Sequence, residues 1–124
     1  MWQLPEILRE LEEVDDSGIV LELIHNFQQD TNARLKRLHD AIARLDAGGV
    51  SVELHSMRGS ARQMGADALA DMCEVMEESV PKMLWPELGV QANQAEARFA
   101  EACSAMTEYS TGQFYLCVET RPLR

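Results

Sequence analysis

Aromatic side chains make up only 6% of this 124-residue chain, and no long uninterrupted apolar run occurs in it. The first shortage argues against a sheet-based core, which draws on aromatic and β-branched residues, and favours helices packed through Leu, Met, Ala and Ile. The second gives no expectation of a signal peptide after Met1 or of a membrane span. Positive charge is also short. Eleven Lys and Arg stand against 21 Asp and Glu, for a formal net charge of -10 and a pI of about 4.6. So acidic a body is a poor partner for nucleic acid or an anionic membrane surface, and neither is expected. The three cysteines, Cys73, Cys103 and Cys117, are odd in number, far apart and without CxxC spacing. They imply no disulfide framework and no zinc site, and make a reduced, cytoplasmic setting the default. No Gly-rich phosphate loop, internal repeat or low-complexity linker is visible.

Apolar residues are plentiful, at 46%, enough to fold one modest domain. Residues 4–13 read as a short helix with Pro5 in its first turn and Ile7, Leu8 and Leu11 on its apolar face. Asp16 or Ser17 is a candidate N-cap for the next helix. From about 18 to 47, Val20, Ile24, Phe27, Thr31, Leu35, Leu38, Ile42 and Leu45 recur at three- and four-residue steps until Gly48-Gly49. A third helix is expected from near Ser51, with Glu53 in its first turn, to Gly65-Ala66, where Asp67 can cap a fourth. That fourth helix, about 68–79, carries Leu69, Met72, Cys73, Val75 and Met76 as its buried stripe. Pro81 and Pro86 predict a break. A last helix over about 87–110 has Leu88, Ala92, Ala95, Phe99, Ala102, Met106 and Tyr109 at bundle spacing. The fold class expected is all-α: an antiparallel four-helix bundle with a short extra N-terminal helix, spanning 1–111 with its core at 17–110. Residues 112–124 form a tail with β-prone Phe114–Val118, for which packing on the bundle, association and loose order all stay open.

The chemistry concentrates in His55-Ser56-Met57-Arg58-Gly59-Ser60-Ala61-Arg62-Gln63-Met64-Gly65. Spaced about 100° apart around a helix, Leu54, Met57, Ala61 and Met64 share one side. His55, Gly59 and Arg62 take nearly the opposite side, with Arg58 beside them. A glycine inside a helix costs roughly 1 kcal/mol relative to alanine, so the gap beside the imidazole has a use where another protein's backbone must come close. Neutral imidazole is a nucleophile, and a guanidinium neutralises phosphate oxygens through forked hydrogen bonds. Nucleophile, clearance and cation together suit phosphoryl transfer to and from a docked partner. The two arginines also predict a local positive spot on an acidic body.

These residues resemble the histidine-containing phosphotransfer (HPt) domains of multistep phosphorelays. The pattern runs His, two residues, usually Lys, then Gly, a small residue or two, and a second Gly six positions after the first. Here those places hold His55, Arg58, Gly59, Ser60, Ala61 and Gly65, with Arg58 the departure. Asp71–Glu77 resembles the next helix of the family and Leu23–Asp30 the long preceding one, so the likeness covers about residues 17–110.

The resemblance implies a phosphocarrier: His55 takes a phosphoryl group from a receiver-domain aspartate and passes it to another receiver. Response-regulator receivers or a hybrid sensor kinase are the implied partners. Mg²⁺ is expected on the receiver, no cofactor on this chain, and no ATP-dependent kinase activity. Arg58 and Gly59 are the expected helpers, with Arg62, Gln63 and Glu77 in support, and Ser56, Gly59, Ser60 and Ala66 on the docking face. Glu77 stands where it can accept a hydrogen bond from Nδ1–H and leave Nε2 to react. Starting at Met1 with a tail of its own favours a free-standing protein. The alternative is a helical interaction module that has lost phosphotransfer. A metal-binding bundle is a distant third: Glu22-Leu23-Ile24-His25 has a di-iron-type spacing but no second copy.

Overall fold

The computed structural model describes residues 2–14 and 18–120, with the backbone alone at 14 and 111–120. Among these residues five helices succeed one another: α1 Glu6–Val14, α2 Ile19–Ala43, α3 Ala47–Gln63, α4 Asp67–Ser79 and α5 Trp85–Thr120. α2 packs on α3 and α5, and α4 packs on α3 and α5, so the last four close a bundle; α1 leans on α2. The short connections make neighbours antiparallel. The α2 seam is buried at Val20, Ile24, Phe27, Thr31, Leu35, Leu38 and Ala41. Leu88, Ala92, Ala95, Phe99, Ala102 and Met106 of α5 are buried as expected, and Phe99 meets Phe27 edge-on. No helix among the described residues is long and apolar enough to cross a membrane.

The helix ends differ from the sequence expectation in informative ways. α2 stops at Ala43, before the glycine pair. Leu45 turns left-handed (φ 55) and Asp46 N–H bonds back to the Ala41 carbonyl at 2.9 Å, a Schellman-type ending without a glycine. Leu45 is therefore a 61% exposed turn residue rather than the last core position. Gly48 and Gly49 lie inside the first turn of α3, where Asp46 accepts the Gly49 N–H at 3.0 Å. A Cβ on Gly49 would stand 2.6 Å from Asp46 Oδ2, so the glycine makes room for that cap.

At the far end of α3 the same ending is built on Gly65 (φ 71), with Ala66 N–H bonded to the Ala61 carbonyl at 2.8 Å. Ala66 takes the α4 N-cap position without a side-chain cap, and Asp67 is the first helical residue instead of the cap. Pro81 falls in the turn after α4, and Pro86 in the first turn of α5, where a missing N–H is tolerated. α5 runs on through Gly112 to Thr120, past the expected end at 110. The N-cap candidates Asp16 and Ser17 lie outside the described residues, as do 121–124 of the expected tail.

Two features fix how α3 sits. Glu53, expected on the first turn, is a buried second-turn residue with 6% exposure. It accepts hydrogen bonds from Arg34 Nη1 and Arg37 Nε of α2, each at 2.9 Å, and Asp30 holds Arg34 from behind at 3.0 Å. At the other end the segment before α1 closes over the α3–α4 corner. Trp2 Nε1 donates to the Met64 carbonyl and its ring meets Tyr109 edge-on. Leu4 and Leu8 are buried, whereas Ile7, expected on the apolar face of α1, is 66% exposed.

Candidate functional site

α3 presents the face that the helical spacing predicts. Val50, Leu54, Met57 and Ala61 are fully buried, and Met64 is 7% exposed. This inward stripe leaves His55, Gly59 and Arg62 exposed on the outside, with Arg58 half-buried at the margin toward α4. Gly59 has open space beyond its own helix: apart from its chain neighbours and the helix backbone, nothing lies within 4 Å of where a Cβ would stand. Val52, one turn before His55 on the same face, is 63% exposed. Sequence reasoning missed Val52; its position three residues before His55 was the available signal.

Among the described residues the ring of His55 has one side-chain hydrogen-bond contact. Arg58 Nη2 lies 3.3 Å from His55 Nδ1. The same guanidinium, through Nε, pairs with Glu77 Oε1 of α4 at 3.3 Å. That contact is an ion pair without hydrogen-bond alignment, so the buried Oε1 accepts no hydrogen bond among the described residues. Glu77 thus reaches Arg58, and Arg58, not Glu77, occupies Nδ1. Gln63 ends α3 about 12 Å along the axis from His55 and makes no side-chain hydrogen bond to the ring among the described residues. Ser56 and Ser60 are half-buried beside His55 and Gly59. Ala66, expected on the docking face, is 5% exposed and packs in the core at the α3–α4 corner, so it offers no surface.

Arg62 is not a free cation. Its Nη2 donates to Asp71 Oδ1 at 2.8 Å and Glu74 Oε1 at 2.9 Å, and Nη1 lies 3.6 Å from Asp67 Oδ1. The hydrogen bond to Glu74, then that to Asp71, raises its already high pKa. The expected positive spot is therefore absent: with Glu77, four α4 carboxylates face two guanidinium groups.

Beneath them Cys73 is fully buried. Burial foremost, and then the Glu77 charge, pushes its thiol up to about 12, against the opposing pull of Arg58 and Arg62. It remains a neutral packing group and does not compete as a nucleophile. Val75, expected in the buried stripe of α4, is 45% exposed, and Ala70 fills a fully buried place instead. Glu22 and His25 are both exposed on α2, and no metal-binding group of His, Cys, Asp or Glu occurs among the described residues.

His55 stands on a convex helix face. A cavity of about 510 Å³ lies away from it, lined in part by Trp2, Gly65, Asp67, Arg98 and Glu101. A nucleophile on a convex surface, with clearance beside it, suits a macromolecular partner that brings its own pocket better than it suits a small substrate.

The Hpt domain family matches residues 22–109 of the chain. Among solved structures, histidine-containing phosphotransfer protein B of Pseudomonas aeruginosa is 29% identical, over 86% of this chain and 92% of its own, with a TM-score of 0.76. A histidine-containing phosphotransfer protein of maize, 15% identical, shares the fold over 87% of this chain and 89% of its own, with a TM-score of 0.77. No curated protein sequence matches significantly.

Proposed function

This chain belongs to the Hpt domain family, and we propose that it serves a phosphorelay as a carrier, with His55 as the residue that bears the phosphoryl group. One observation carries the assignment to that residue: an exposed imidazole on α3, a guanidinium against its ring, and one turn on a glycine with open space around it. The bacterial phosphotransfer protein it resembles supports the same role.

The partner is a receiver domain carrying an aspartyl phosphate, with Mg²⁺ on the receiver. Its docking face on this chain comprises His55, Ser56, Gly59 and Ser60, with Val52 as an exposed apolar contact. The Nε2 lone pair attacks phosphorus in line. The N–P bond forms as the P–O bond to the aspartate breaks, and the carboxylate leaves with the bonding pair. The reverse step on a second receiver discharges the carrier. Such transfer is mostly positioning and charge stabilisation, so a few side chains suffice. Arg58 contributes the cation for the phosphoryl oxygens. Arg62, held by three carboxylates, ties α3 to α4 and supports the site from there.

Incubation with phosphorylated receiver domains tests the assignment. Wild type is expected to gain acid-labile phosphate, and His55→Gln to fold normally and gain none. Equal labelling of both would move the acceptor elsewhere. No labelling of wild type by any receiver would leave a helical interaction module.

A further inference from the structure

We propose that Arg58 masks the His55 nucleophile at rest and that the incoming phosphoryl group itself removes the mask. Such a mask presupposes the carrier role of His55. A guanidinium carries five N–H donors and no acceptor, so the 3.3 Å approach of Arg58 Nη2 to Nδ1 engages the Nδ1 lone pair. In a neutral ring whose Nδ1 accepts, the proton sits on Nε2. Neither nitrogen then offers a free lone pair, although the ring is exposed. A solvent-facing histidine in this state is reachable but poorly reactive.

The mask is held from two sides. Arg58 sits three residues after His55 on the same helix, and its Nε faces Glu77 Oε1 across the α3–α4 seam at 3.3 Å. The Arg58 and Glu77 side chains are 35% and 27% exposed, so the pair is less screened than one in open water. A planar fork touches the imidazole and the carboxylate at once through different nitrogens. Beside it Gly59 leaves open space. No side chain stands on Gly59 to obstruct an outward swing of the guanidinium.

A phosphoryl group supplies the reason to swing. Its charged oxygens are stronger acceptors for a guanidinium than a neutral imidazole is. As Arg58 turns onto them, Nδ1 is uncovered. The ring loses its Nε2 proton to water and takes one from water at Nδ1. Nε2 now holds the lone pair that attacks phosphorus; the P–O bond to the partner's aspartate breaks, and the proton stays on Nδ1. One side chain thereby couples arrival of the donor to activation of the acceptor, and Glu77 is the positioning residue that returns it afterwards.

Two readouts on the intact chain test this without a receiver. In ¹⁵N-labelled protein, the neutral His55 ring of wild type should show the Nε2–H tautomer with a hydrogen-bonded Nδ1. Arg58→Gln should lose the hydrogen-bond signature, and Glu77→Gln should weaken it. Carbethoxylation by diethyl pyrocarbonate, read by mass spectrometry with exposed His25 as internal control, should rise roughly threefold or more at His55 in Arg58→Gln. Arg58→Lys separates the two duties. A flexible point charge should raise carbethoxylation yet still accept phosphoryl groups, while Arg58→Gln should accept them poorly. An Nδ1–H tautomer in wild type, or equal carbethoxylation of His55 in wild type and Arg58→Gln, overturns the mask. Both results are read whether or not wild type takes phosphate from a receiver, so failure of the mask and failure of the carrier role are distinct outcomes.

Discussion

Gly59→Ala should make the protein more stable and less able to work. Gly59 is an interior residue of α3, and an added Cβ finds nothing within 4 Å beyond its chain neighbours and its own helix backbone, so alanine enters without steric cost. Replacing glycine by alanine in a helix interior gains about 1 kcal/mol, partly by narrowing the unfolded ensemble. For a chain of this length that corresponds to a rise in melting temperature of roughly 3–5 °C. Thermal and urea unfolding followed by far-UV circular dichroism would measure it. The penalty appears on docking. A methyl group one turn from His55 intrudes where the partner's backbone comes close, so the specificity constant for transfer from a phosphorylated receiver should fall severalfold, and by about tenfold or more for Gly59→Leu. The signs are opposite, which makes the pair of measurements decisive. A stabilised Gly59→Ala with wild-type transfer would refute the clearance argument. A destabilised one would refute the claim that the space is empty.

The remaining expectations concern the scaffold. Gly65→Ala should go the other way from Gly59→Ala and lose about 1–2 kcal/mol in the same melts, because Gly65 has φ 71 and its new Cβ would press on Pro5 at 3.0 Å. A stabilised Gly65→Ala would show that the left-handed turn is not required. Glu53→Gln keeps the shape but removes the buried charge that Arg34 and Arg37 share. It should cost about 1–3 kcal/mol in urea unfolding, and no loss would mean that the two arginines re-solvate freely. Cys73 gives a pH signature. Burial pushes the folded thiol up to about 12, from an ordinary value of 9.0 in the unfolded chain. Above the lower value the unfolded chain has released a proton that the folded one still binds, so stability falls as pH rises between them. Wild type should lose about 1.4 kcal/mol more than Cys73→Ala between about pH 7.5 and pH 10, and parallel pH profiles would refute the shift.

The bundle was legible in the sequence wherever burial tracks period. The stripes Val20–Leu38, Leu54–Met64 and Leu88–Met106 are buried as their spacing predicts, and the outward His55–Gly59–Arg62 face comes from the same wheel. What was not legible depends on neighbours. Gly48-Gly49 carry the composition of a helix stop, yet the stop is made by Leu45 and the glycines serve the Asp46 cap. Tertiary packing supplied the stop that local propensity assigned elsewhere. Glu53 reads as a surface acid until Arg34 and Arg37, 19 and 16 residues upstream on α2, are placed against it. Val75 looks like core by type, and its helix turned it outward because Ala70, Cys73 and Met76 already fill the inward stripe.

The largest misreading was electrostatic, and it bears on how the site selects its donor. A helical wheel counts only the charges of its own helix, so Arg58 and Arg62 looked like an attractor for phosphate. Packed antiparallel, α4 sets Asp67, Asp71, Glu74 and Glu77 against them. With four carboxylates on two guanidinium groups and a net charge of -10 overall, the charge balance along the α3–α4 seam disfavours a free phosphate. Attraction has to come from short-range contacts, once a partner has already docked and water is excluded. A donor that carries its own divalent cation meets this acidic rim favourably, whereas a small anionic donor does not. Arg58 then turns to phosphate only when phosphate is delivered close to it, since Glu77 and the imidazole hold it until a stronger acceptor is within reach. In the proposed relay, the acidity of the α3–α4 seam thus favours a docked partner that brings its own divalent cation over a free anionic donor.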